Sequence, residues 1–359
     1  MKENFYILKN GWLVRKHNTI YFICKKAKDE DSGFMKEIDE ERQEVELEKI
    51  EESPEYDKRI IPVERILSIY ILGRVSLTSG VLSFLSKHEI PVHFFGYYGQ
   101  YEGSYYPREK YLSGYLHIRQ AEHYLDKEKR MELAKQFVAG SAQNILRNLE
   151  NYLNEGVDLY WEIESIRKLI PQIKEEKEMG KLMATEGFIR NLYYSTFDKI
   201  MGGRFVFDSR SRRPPQNPLN AMISFGNSLL YSTIITQIYH TQLDPTISYL
   251  HEPTERRFSL ALDISEIFKP FLVDRVIFKL VNKRMIGEEH FRYELNSCLL
   301  NDSGKRLFIK EWNDRLNTTI KHRELRRKVS YQRLIYLECL KLIKHLTGVK
   351  KYRPFVIWW

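Results

Sequence analysis

Four ionisable side chains lie in apolar helical patterns or in a loop beside one, where packing alone does not explain them. Asp263 and Glu266 lie three residues apart in the apolar run LALDISEIF, so they share one face of a helix. His251 precedes them in a segment bounded by LDP and EP, from which it can fold back toward that face. Glu186 lies in a second helical pattern, KLMATEGFIRNLYYSTF, with Arg190 one turn later. A carboxylate at an apolar helix position is costly unless it is paired or binds a cation.

Together these side chains suit a hard divalent cation. One imidazole with two or three carboxylates is a donor set for Mg²⁺ or Mn²⁺ that leaves positions open for water. Zinc is less favoured, because the sequence has no HExxH motif and its three cysteines form no CxxC pattern. Each residue also has a simpler interpretation: Glu186 and Arg190 as an i,i+4 ion pair, and His251 as a loop histidine. Asp263 could equally cap a segment or pair with an arginine, so the metal site is predicted from the combination alone.

A basic loop, GGRFVFDSRSRRPPQNP, lies between the two halves of the predicted site. Its arginines are interleaved with Phe205 and Phe207, which suits a phosphate backbone with bases nearby; a solvated loop is the equal alternative. Beside a phosphate-binding loop, a metal would stabilise charge on a phosphodiester and activate a hydroxyl or a water. No Walker lysine motif, GxGxxG or GxSxG is present, which argues against an NTPase, a dinucleotide enzyme and a serine hydrolase. The arginines predicted to contact DNA are Arg190, Arg204, Arg210, Arg212 and Arg213.

The charge of the chain is unevenly distributed. The formal net charge of the 359 residues is +9. Residues 29–57 hold 14 acidic and 3 basic residues, a net of −11, which leaves +20 on the rest. Residues 321–353 hold 11 Lys and Arg against two Glu. A basic C-terminal region set apart from an acidic insert favours a nucleic-acid partner.

The elements that must position these residues form two domains of an α+β protein. Residues 1–24 alternate apolar and polar side chains, which predicts strands, with Asn10-Gly11 as a hairpin turn. Further strands and one short helix follow, and from about residue 110 the apolar spacing becomes helical. The predicted organisation is a small β-rich domain at 1–98 with an acidic insert at 29–57, a linker at 99–112, and a large all-α catalytic domain at 113–359.

One long segment, residues 214–243, contains no Asp, Glu, Lys or Arg. It is long enough to span a bilayer, but its many Asn, Gln, Ser and His side chains would be costly in lipid. A helix buried at the centre of the α domain is therefore the preferred interpretation. Asn217 is predicted to cap this helix with Pro218 at its first position, and Ser259 to cap the helix of Asp263 and Glu266.

Five stretches carry a resemblance to a known family: IPVERILSIYILGRVSLTSGVLSFLSKHEIPVHFFGYYGQYEG, EGFIRNLYY, RRPPQNPLNAMISFGNSLLY, LDPTISYLHEPTERRFSLALDISEIFKPFLVDR and YRPFVIWW. In this order they resemble the CRISPR-associated protein one family, the integrases that insert new spacers into CRISPR arrays. The resemblance covers most of the chain. It implies an N-terminal β domain and a C-terminal α domain, as the residue pattern predicts.

The resemblance also implies a site and an activity. Glu186, His251 and Glu266 correspond to the ligands of Mg²⁺ or Mn²⁺, and Asp263 to an acidic residue that supports His251 or a metal-bound water. The implied enzyme is a metal-dependent DNA endonuclease and integrase, in which the 3′-hydroxyl of a captured fragment attacks a phosphodiester of the CRISPR repeat. The implied partners are prespacer and repeat DNA, a second copy bound through the β domain, and a small ferredoxin-like CRISPR-associated protein two that bridges two dimers. The implied location is the prokaryotic cytoplasm, without a membrane.

Three positions depart from the family pattern. Ser141 stands where lysine is common, Asn217 where aspartate is common, and Asn227 where an aromatic residue is common. These departures affect expected DNA contacts and local packing, and none removes a predicted metal ligand. Two other functions remain alternatives: a metal-dependent nuclease or transposon-type integrase of another pathway, and a DNA-binding scaffold without catalysis.

Overall fold

The computed structural model describes residues 2–26, 54–207, 209–211, 214–253 and 258–358. The chain divides into two compact units, Met1–Arg108 and Glu109–Trp359. The first unit is rich in strands and the second is mostly helical, which confirms the predicted α+β class. Residues 29–53 of the predicted acidic insert lie outside the described residues.

The described part of the first unit contains eight strands and one α-helix. The strands are β1 (Glu3–Ile7), β2 (Gly11–Lys16), β3 (Thr19–Lys25), β4 (Tyr56–Ile61), β5 (Ile66–Ile71), β6 (Val75–Leu77), β7 (Val92–Phe95) and β8 (Tyr101–Tyr105). They form two sheets, in the orders β1-β5-β7-β8 and β4-β3-β2-β6. Helix α1 (Ser79–Lys87) follows β6, and both sheets and this helix contribute to one core that includes Ile7, Leu13 and Val81.

The predicted hairpin turn at Asn10-Gly11 is wrong. β1 pairs in parallel with β5 in the other sheet, whereas β2 pairs antiparallel with β3, so the hairpin turn lies at residues 17 and 18. Asn10 Oδ1 accepts the N–H of Arg74 at 2.8 Å, and the N–H of Gly11 donates to the carbonyl of Arg74 at 3.0 Å. A Cβ at Gly11 would lie 2.2 Å from the carbonyl oxygen of Ile23. Glycine is therefore required here for close backbone approach, and not for a tight turn.

The first unit extends to Arg108, beyond the predicted boundary at residue 98. The difference arises because part of the predicted linker, residues 99–112, forms strand β8, which pairs antiparallel with β7. Strands β3 and β4 are also antiparallel neighbours, with Lys25 opposite Tyr56. The described strands on either side of the insert are therefore adjacent in the sheet.

Helices dominate the described part of the second unit. They are α2 (Gly114–Leu125), α3 (Lys127–Asn154), α4 (Tyr160–Glu175), α5 (Met179–Ser195), α6 (Phe197–Met201), α7 (Pro218–Tyr239), α8 (Ser259–Phe268), α9 (Arg275–Asn282), α10 (Asp302–Asn317) and α11 (Tyr331–Leu346). The unit is not purely helical, because it also holds two hairpins: β9 (Phe291–Glu294) with β10 (Ser297–Leu300), and β11 (Thr319–Lys321) with β12 (Lys328–Ser330). Their strands are only three or four residues long.

Helix α7 lies at the centre of this unit, as its lack of charged residues predicts. It is buried on all sides, and neighbouring helices α8 and α11 pack against it. Asn217 is its N-cap, with Oδ1 accepting the N–H of Asn220 at 2.8 Å, and Pro218 is its first residue. Among the described residues, no helix is both long enough and apolar enough to cross a membrane. Gly226 allows close packing, since a Cβ there would lie 2.5 Å from Cγ1 of Val273.

Helices α8 and α9 are separated by one wide π-helical turn, Lys269–Asp274. Pro270 lies at the start of this turn, where its missing N–H leaves no donor unsatisfied. Side chains from two other helices donate hydrogen bonds to the backbone carbonyls near the turn. Asn144 Nδ2 of α3 donates to Ile267 at 2.9 Å, and Asn148 Nδ2 donates to Pro270 at 2.5 Å. Arg315 Nε of α10 donates to Phe271 at 2.9 Å.

Candidate active site

Helices α5 and α8 bring two of the predicted carboxylates to one arginine. Glu186 and Arg190 are one turn apart on α5, and Glu266 is on α8. The Nη2 atom of Arg190 lies 3.2 Å from Glu186 Oε1 and also donates to Glu266 Oε2. The side chains of Arg190 and Glu266 are only 10% and 7% exposed, so their charges meet where water screens them weakly. The i,i+4 pair of Glu186 and Arg190 is therefore present, and it is part of a larger cluster.

A second cation completes the charge balance of Glu266. Lys269, at the start of the π-helical turn, donates to Glu266 Oε1. Burial by itself raises the pKa of Glu266, but Lys269, Arg190 and His251 more than offset this and lower the pKa to about 2. Burial acts on Arg190 in the opposite sense and lowers its pKa, yet Glu266 and Glu186 raise the pKa above its ordinary value. Both groups are therefore charged at neutral pH.

Asp263 organises the loop that carries His251. Its carboxylate is fully buried, and Oδ2 accepts the N–H groups of Tyr249 at 2.6 Å and Leu250 at 3.0 Å. Oδ1 accepts the N–H of His251 at 2.9 Å and lies 2.8 Å from His251 Nδ1. Four donors saturate the acceptor capacity of one carboxylate, so Asp263 has no lone pair left for a metal. The same contact leaves His251 Nε2 as the ring nitrogen for a ligand, which is how carboxylates position metal-binding histidines.

The cluster has the donor types of a divalent metal site, although side-chain cations balance its charge. Among the described residues, no group of three or more His, Cys, Asp or Glu side chains is close enough to hold a metal as placed. Glu186 and Glu266 meet through Arg190, and His251 is near enough to lower the pKa of Glu266. Ionised carboxylates and an imidazole held at Nδ1 fit Mg²⁺ or Mn²⁺. Each oxygen of Glu266 has one described side-chain contact, to Arg190 or to Lys269, and so keeps a lone pair for such an ion.

Comparison with known proteins identifies the family of the chain. The family described as CRISPR associated protein Cas1 matches residues 6–314. A "CRISPR-associated protein Cas1 1" from Methanobrevibacter ruminantium is 50% identical over 359 residues, covering 100% of this chain and 99% of the relative. A "CRISPR-associated endonuclease Cas1" from Methanothermobacter thermautotrophicus is 49% identical over 358 residues, covering 100% and 96%. The chain belongs to the Cas1 family. Membership confirms the resemblance seen in the sequence motifs.

Solved structures extend the comparison to the fold. A Cas1 protein from Thermotoga maritima aligns with a TM-score of 0.81 at 39% identity, covering 99% of each chain. A casposase bound to an integration product also aligns with a TM-score of 0.81, at 21% identity, covering 98% of this chain and 92% of the other. A Cas6-RT-Cas1–Cas2 complex aligns at 0.78 and 18% identity, covering 99% of this chain and 36% of the other. The casposase and the Cas6-RT-Cas1–Cas2 complex, at 21% and 18% identity, show a shared fold.

In this Cas1 family member, the arginines of the basic loop have different environments. Arg204 donates to the carbonyl of Val281 at 2.8 Å. Arg210 donates to Asn220 Oδ1 at 2.8 Å and to Ser224 Oγ at 3.0 Å, at the start of α7. Arg212 and Arg213 lie outside the described residues.

The phenylalanines of this loop do not face a ligand. Phe205 and Phe207 are 5% and 9% exposed, and they pack against Phe291 and against Tyr194 with Phe197, respectively. The expectation that they would lie near nucleic-acid bases is therefore wrong. Apolar burial explains their place in the loop, because each ring fills the core while Arg204 and Val206 stay exposed.

Two departures from the Cas1 pattern have clear local roles. Ser141, where lysine is common, lies 3.4 Å from Arg190 Nη2 and lines a shallow groove with Glu186. Because Ser141 carries no charge, Arg190 is the cation that contacts both Glu186 and Glu266. Asn217, where aspartate is common, caps α7 with a neutral oxygen. Half-buried Asn227 has no described contact that explains its departure.

The structure adds two residues to the site. Lys269 lies three residues after Glu266, so the i,i+3 spacing could have indicated it, although it was not predicted. Asp274 ends the π-helical turn, is 2% exposed, and has an Oδ2 atom without a hydrogen-bond partner among the described residues. Burial raises the pKa of Asp274 to about 7, although Arg190 and a hydrogen bond from Tyr193 act to lower it. No sequence spacing pointed to Asp274, because its neighbours come from another helix.

The raised pKa of Asp274 predicts a pH effect on stability. Its folded pKa of about 7 exceeds the reference value of 3.8, so the folded protein holds this proton more tightly than the unfolded chain. Stability from this group is therefore complete below about pH 4 and is lost as pH rises toward 7, by at most about 1.4 kcal/mol per pH unit. Asp274→Asn should remove this loss. Urea unfolding at pH 5 and pH 8 should show a larger gain over wild type at pH 8.

A control variant makes the pH comparison specific. Asp158→Asn alters an exposed carboxylate at the start of α4 and should shift both curves equally. If Asp274→Asn instead gives the same difference from wild type at pH 5 and pH 8, Asp274 ionises normally in the folded protein.

Proposed function

We propose that this chain is a metal-dependent DNA endonuclease and integrase of CRISPR adaptation, acting in the prokaryotic cytoplasm. The observation that carries the proposal is the arrangement of Glu186, Glu266 and His251. Both carboxylates contact Arg190, and Asp263 orients the imidazole. Relatives named as CRISPR-associated endonucleases support the nuclease activity, and the shared fold of a casposase supports the integrase.

The proposed reaction is a transesterification. The 3′-hydroxyl oxygen of a captured DNA fragment attacks a phosphorus of the repeat, its proton is lost to solvent, and the displaced strand leaves as a 3′-hydroxyl. A Mg²⁺ or Mn²⁺ ion bound by Glu186, His251 and Glu266 supplies charge stabilisation at the phosphate and acidifies the attacking hydroxyl. Asp263 keeps His251 oriented with Nε2 toward the site. Lys269 is 20% exposed and its ammonium has three donors, so it can pair with a phosphate oxygen as well as with Glu266.

The proposed partners are DNA, a second copy of the chain, and a small ferredoxin-like CRISPR-associated protein two. Support comes from the named Cas1–Cas2 complex that shares this fold. Arg190 belongs to the ligand cluster, and of the four loop arginines Arg204 and Arg210 already contact protein oxygens. Any DNA contact by Arg212 and Arg213 stays a prediction.

A non-catalytic DNA-binding scaffold is the second candidate function. The observation in its favour is that Arg190 and Lys269 already neutralise Glu266, and that no described group of three potential ligands is assembled. Under this alternative, the carboxylates are structural ion pairs and no divalent ion binds.

Calorimetric titration with Mn²⁺ separates these two functions. The wild-type chain should bind the ion, and His251→Ala should weaken that affinity by at least about 10- to 100-fold, since it removes a nitrogen donor. His117→Ala, on the surface-facing side of α2, is the matched control and should bind like wild type. Absence of Mn²⁺ binding by the wild-type chain, or unaltered binding by His251→Ala, would support the scaffold.

A further inference from the structure

The turn between β11 and β12 carries a dense group of exposed cations, which we name the basic hairpin (residues 319–330). Strands β11 and β12 pair antiparallel, with Lys321 opposite Lys328. Glu324 is the single acidic residue of the turn, and its carboxylate lies 3.5 Å from Lys350 of the C-terminal tail. The exposed cations of the hairpin are Lys321, Arg323, Arg326, Arg327 and Lys328.

Hydrogen bonds fix the shape of this turn. The N–H of His322 donates to the carbonyl of Arg327, and the N–H of Arg326 donates to that of His322, both at 2.9 Å. His322 Nδ1 accepts the N–H groups of Glu324 and Leu325 at 3.2 Å. Burial lowers the pKa of His322, which keeps this nitrogen an acceptor at neutral pH. The cations therefore project from a preorganised frame.

The basic hairpin is anchored to the C-terminal tail. The guanidinium of Arg323 lies 5.4 Å from the ring centre of Trp358 and donates to the Trp358 carbonyl at 3.3 Å. Trp358 packs against Phe355, whose ring lies 5.4 Å from that of Phe271 in the π-helical turn. Because this turn follows the helix of Glu266, the hairpin is connected to the candidate active site by packed aromatic rings.

Four of these cations have no ion-pair partner among the described residues. In the described parts of the chain, no carboxylate lies within ion-pairing distance of Lys321, Arg326, Arg327 or Lys328. An exposed cation on a helix can be paired, as Arg167 is with two glutamates. A concentration of unpaired like charge on a rigid turn raises the local potential and favours a polyanion.

We propose that the basic hairpin binds the phosphate backbone of double-stranded DNA that flanks the reacting phosphodiester. The proposal rests on the proposed function, because it assumes a DNA substrate. Arginines present planar donor pairs that match phosphate oxygens. Single strands are less suited, since the exposed turn offers Leu325 and no Phe, Tyr or Trp. The neighbouring rings of His322 and Trp358 are half-buried against each other, and Arg323 covers Trp358. An acidic protein is less suited, because protein interfaces are depleted of charge at their centre and use aromatic anchors.

The test compares two triple variants of the full chain with equal loss of charge. Lys321→Gln/Arg326→Gln/Arg327→Gln removes unpaired hairpin cations, while Lys168→Gln/Lys177→Gln/Lys283→Gln removes three exposed lysines elsewhere. Affinity for a long DNA duplex is measured by fluorescence anisotropy over a series of salt concentrations. If the hairpin makes two or three phosphate contacts, the salt slope should fall by about 2 to 3, and the affinity at 0.1 M salt by roughly 50-fold or more. The control should retain both values within about threefold.

Two further measurements keep this test separate from the proposed chemistry. Cleavage of a short single-stranded oligonucleotide with Mn²⁺ should be unchanged in the hairpin variant, because that substrate does not reach the hairpin. An unchanged salt slope and affinity for the long duplex would overturn the proposal. Binding of poly-glutamate as tight as that of duplex DNA would also overturn it and would assign the surface to acidic proteins. Loss of cleavage in the active-site variants bears on the proposed function alone.

Discussion

Glu186→Gln is expected to lower metal-dependent DNA cleavage and strand joining by at least about 1,000-fold. Glutamine has the shape of glutamate and can still accept a hydrogen bond from Arg190, so the contact at 3.2 Å can persist. The negative charge is lost, and a divalent ion loses one anionic donor. The measurement is nicking and strand joining on a repeat-bearing plasmid with Mn²⁺, in the presence of the small partner protein.

Glu178→Gln provides the control for this experiment. Glu178 flanks the start of the same helix, α5, and its side chain is 67% exposed and paired with Lys181 at 2.9 Å. Exposed pairs of this kind contribute little, so this variant should keep wild-type activity. Full activity of Glu186→Gln, with a wild-type melting temperature, would mean that Glu186 is only the ion-pair partner of Arg190. In that event the ligand assignment is wrong.

The second large effect is expected at Asp263, where Asn should lower the free energy of unfolding by about 2–4 kcal/mol. The buried carboxylate accepts four hydrogen bonds, and the amide group of Asn would turn a donor toward two N–H groups. The loop of His251 would lose its connection to α8. Urea unfolding in the presence of a chelator measures this structural effect, and Mn²⁺ titration should show an affinity about 10- to 100-fold lower.

The chelator makes the Asp263→Asn result decisive. If Asp263 acted as a metal ligand, the variant would lose affinity while its stability without metal stayed at the wild-type value. Asp244→Asn is the matched control, because in the described part of the chain the carboxylate of half-buried Asp244 accepts only from Thr246, through its N–H at 2.8 Å and its hydroxyl at 2.6 Å. That variant should lose less stability than Asp263→Asn and bind Mn²⁺ normally.

The features that the sequence predicted correctly are those that depend on residues close together in the chain. The absence of charge between residues 214 and 243 predicted buried helix α7, and Asn217 with Pro218 predicted its start, because caps act within one turn. Ser259 was predicted to cap α8 but is its first residue, and its hydroxyl donates to the carbonyl of Thr246. The Asn10-Gly11 turn was wrong for a related reason. Both errors come from partners that are distant in the chain.

The candidate site shows the same division between local and distant partners. Asp263 and Glu266 were predicted to share a helix, and spacing alone could have added Lys269. Spacing could not show that Arg190 contacts both Glu186 and Glu266, since the second contact joins residues 76 positions apart. It could not show the burial of Asp274 either. The resemblance supplied the choice between the two acids, and four hydrogen bonds to Asp263 give a physical reason for it.

The wide turn between α8 and α9 has a mechanical consequence. A helix of unbroken pitch can slide along a neighbour by whole turns, because its backbone presents no unique point of attachment. The carbonyls of Ile267 and Pro270 instead accept hydrogen bonds from Asn144 and Asn148, whose side-chain amides are one turn apart on α3. These two hydrogen bonds fix the axial register of α8 against α3. The position of Glu266 along α3 is therefore fixed by these two contacts.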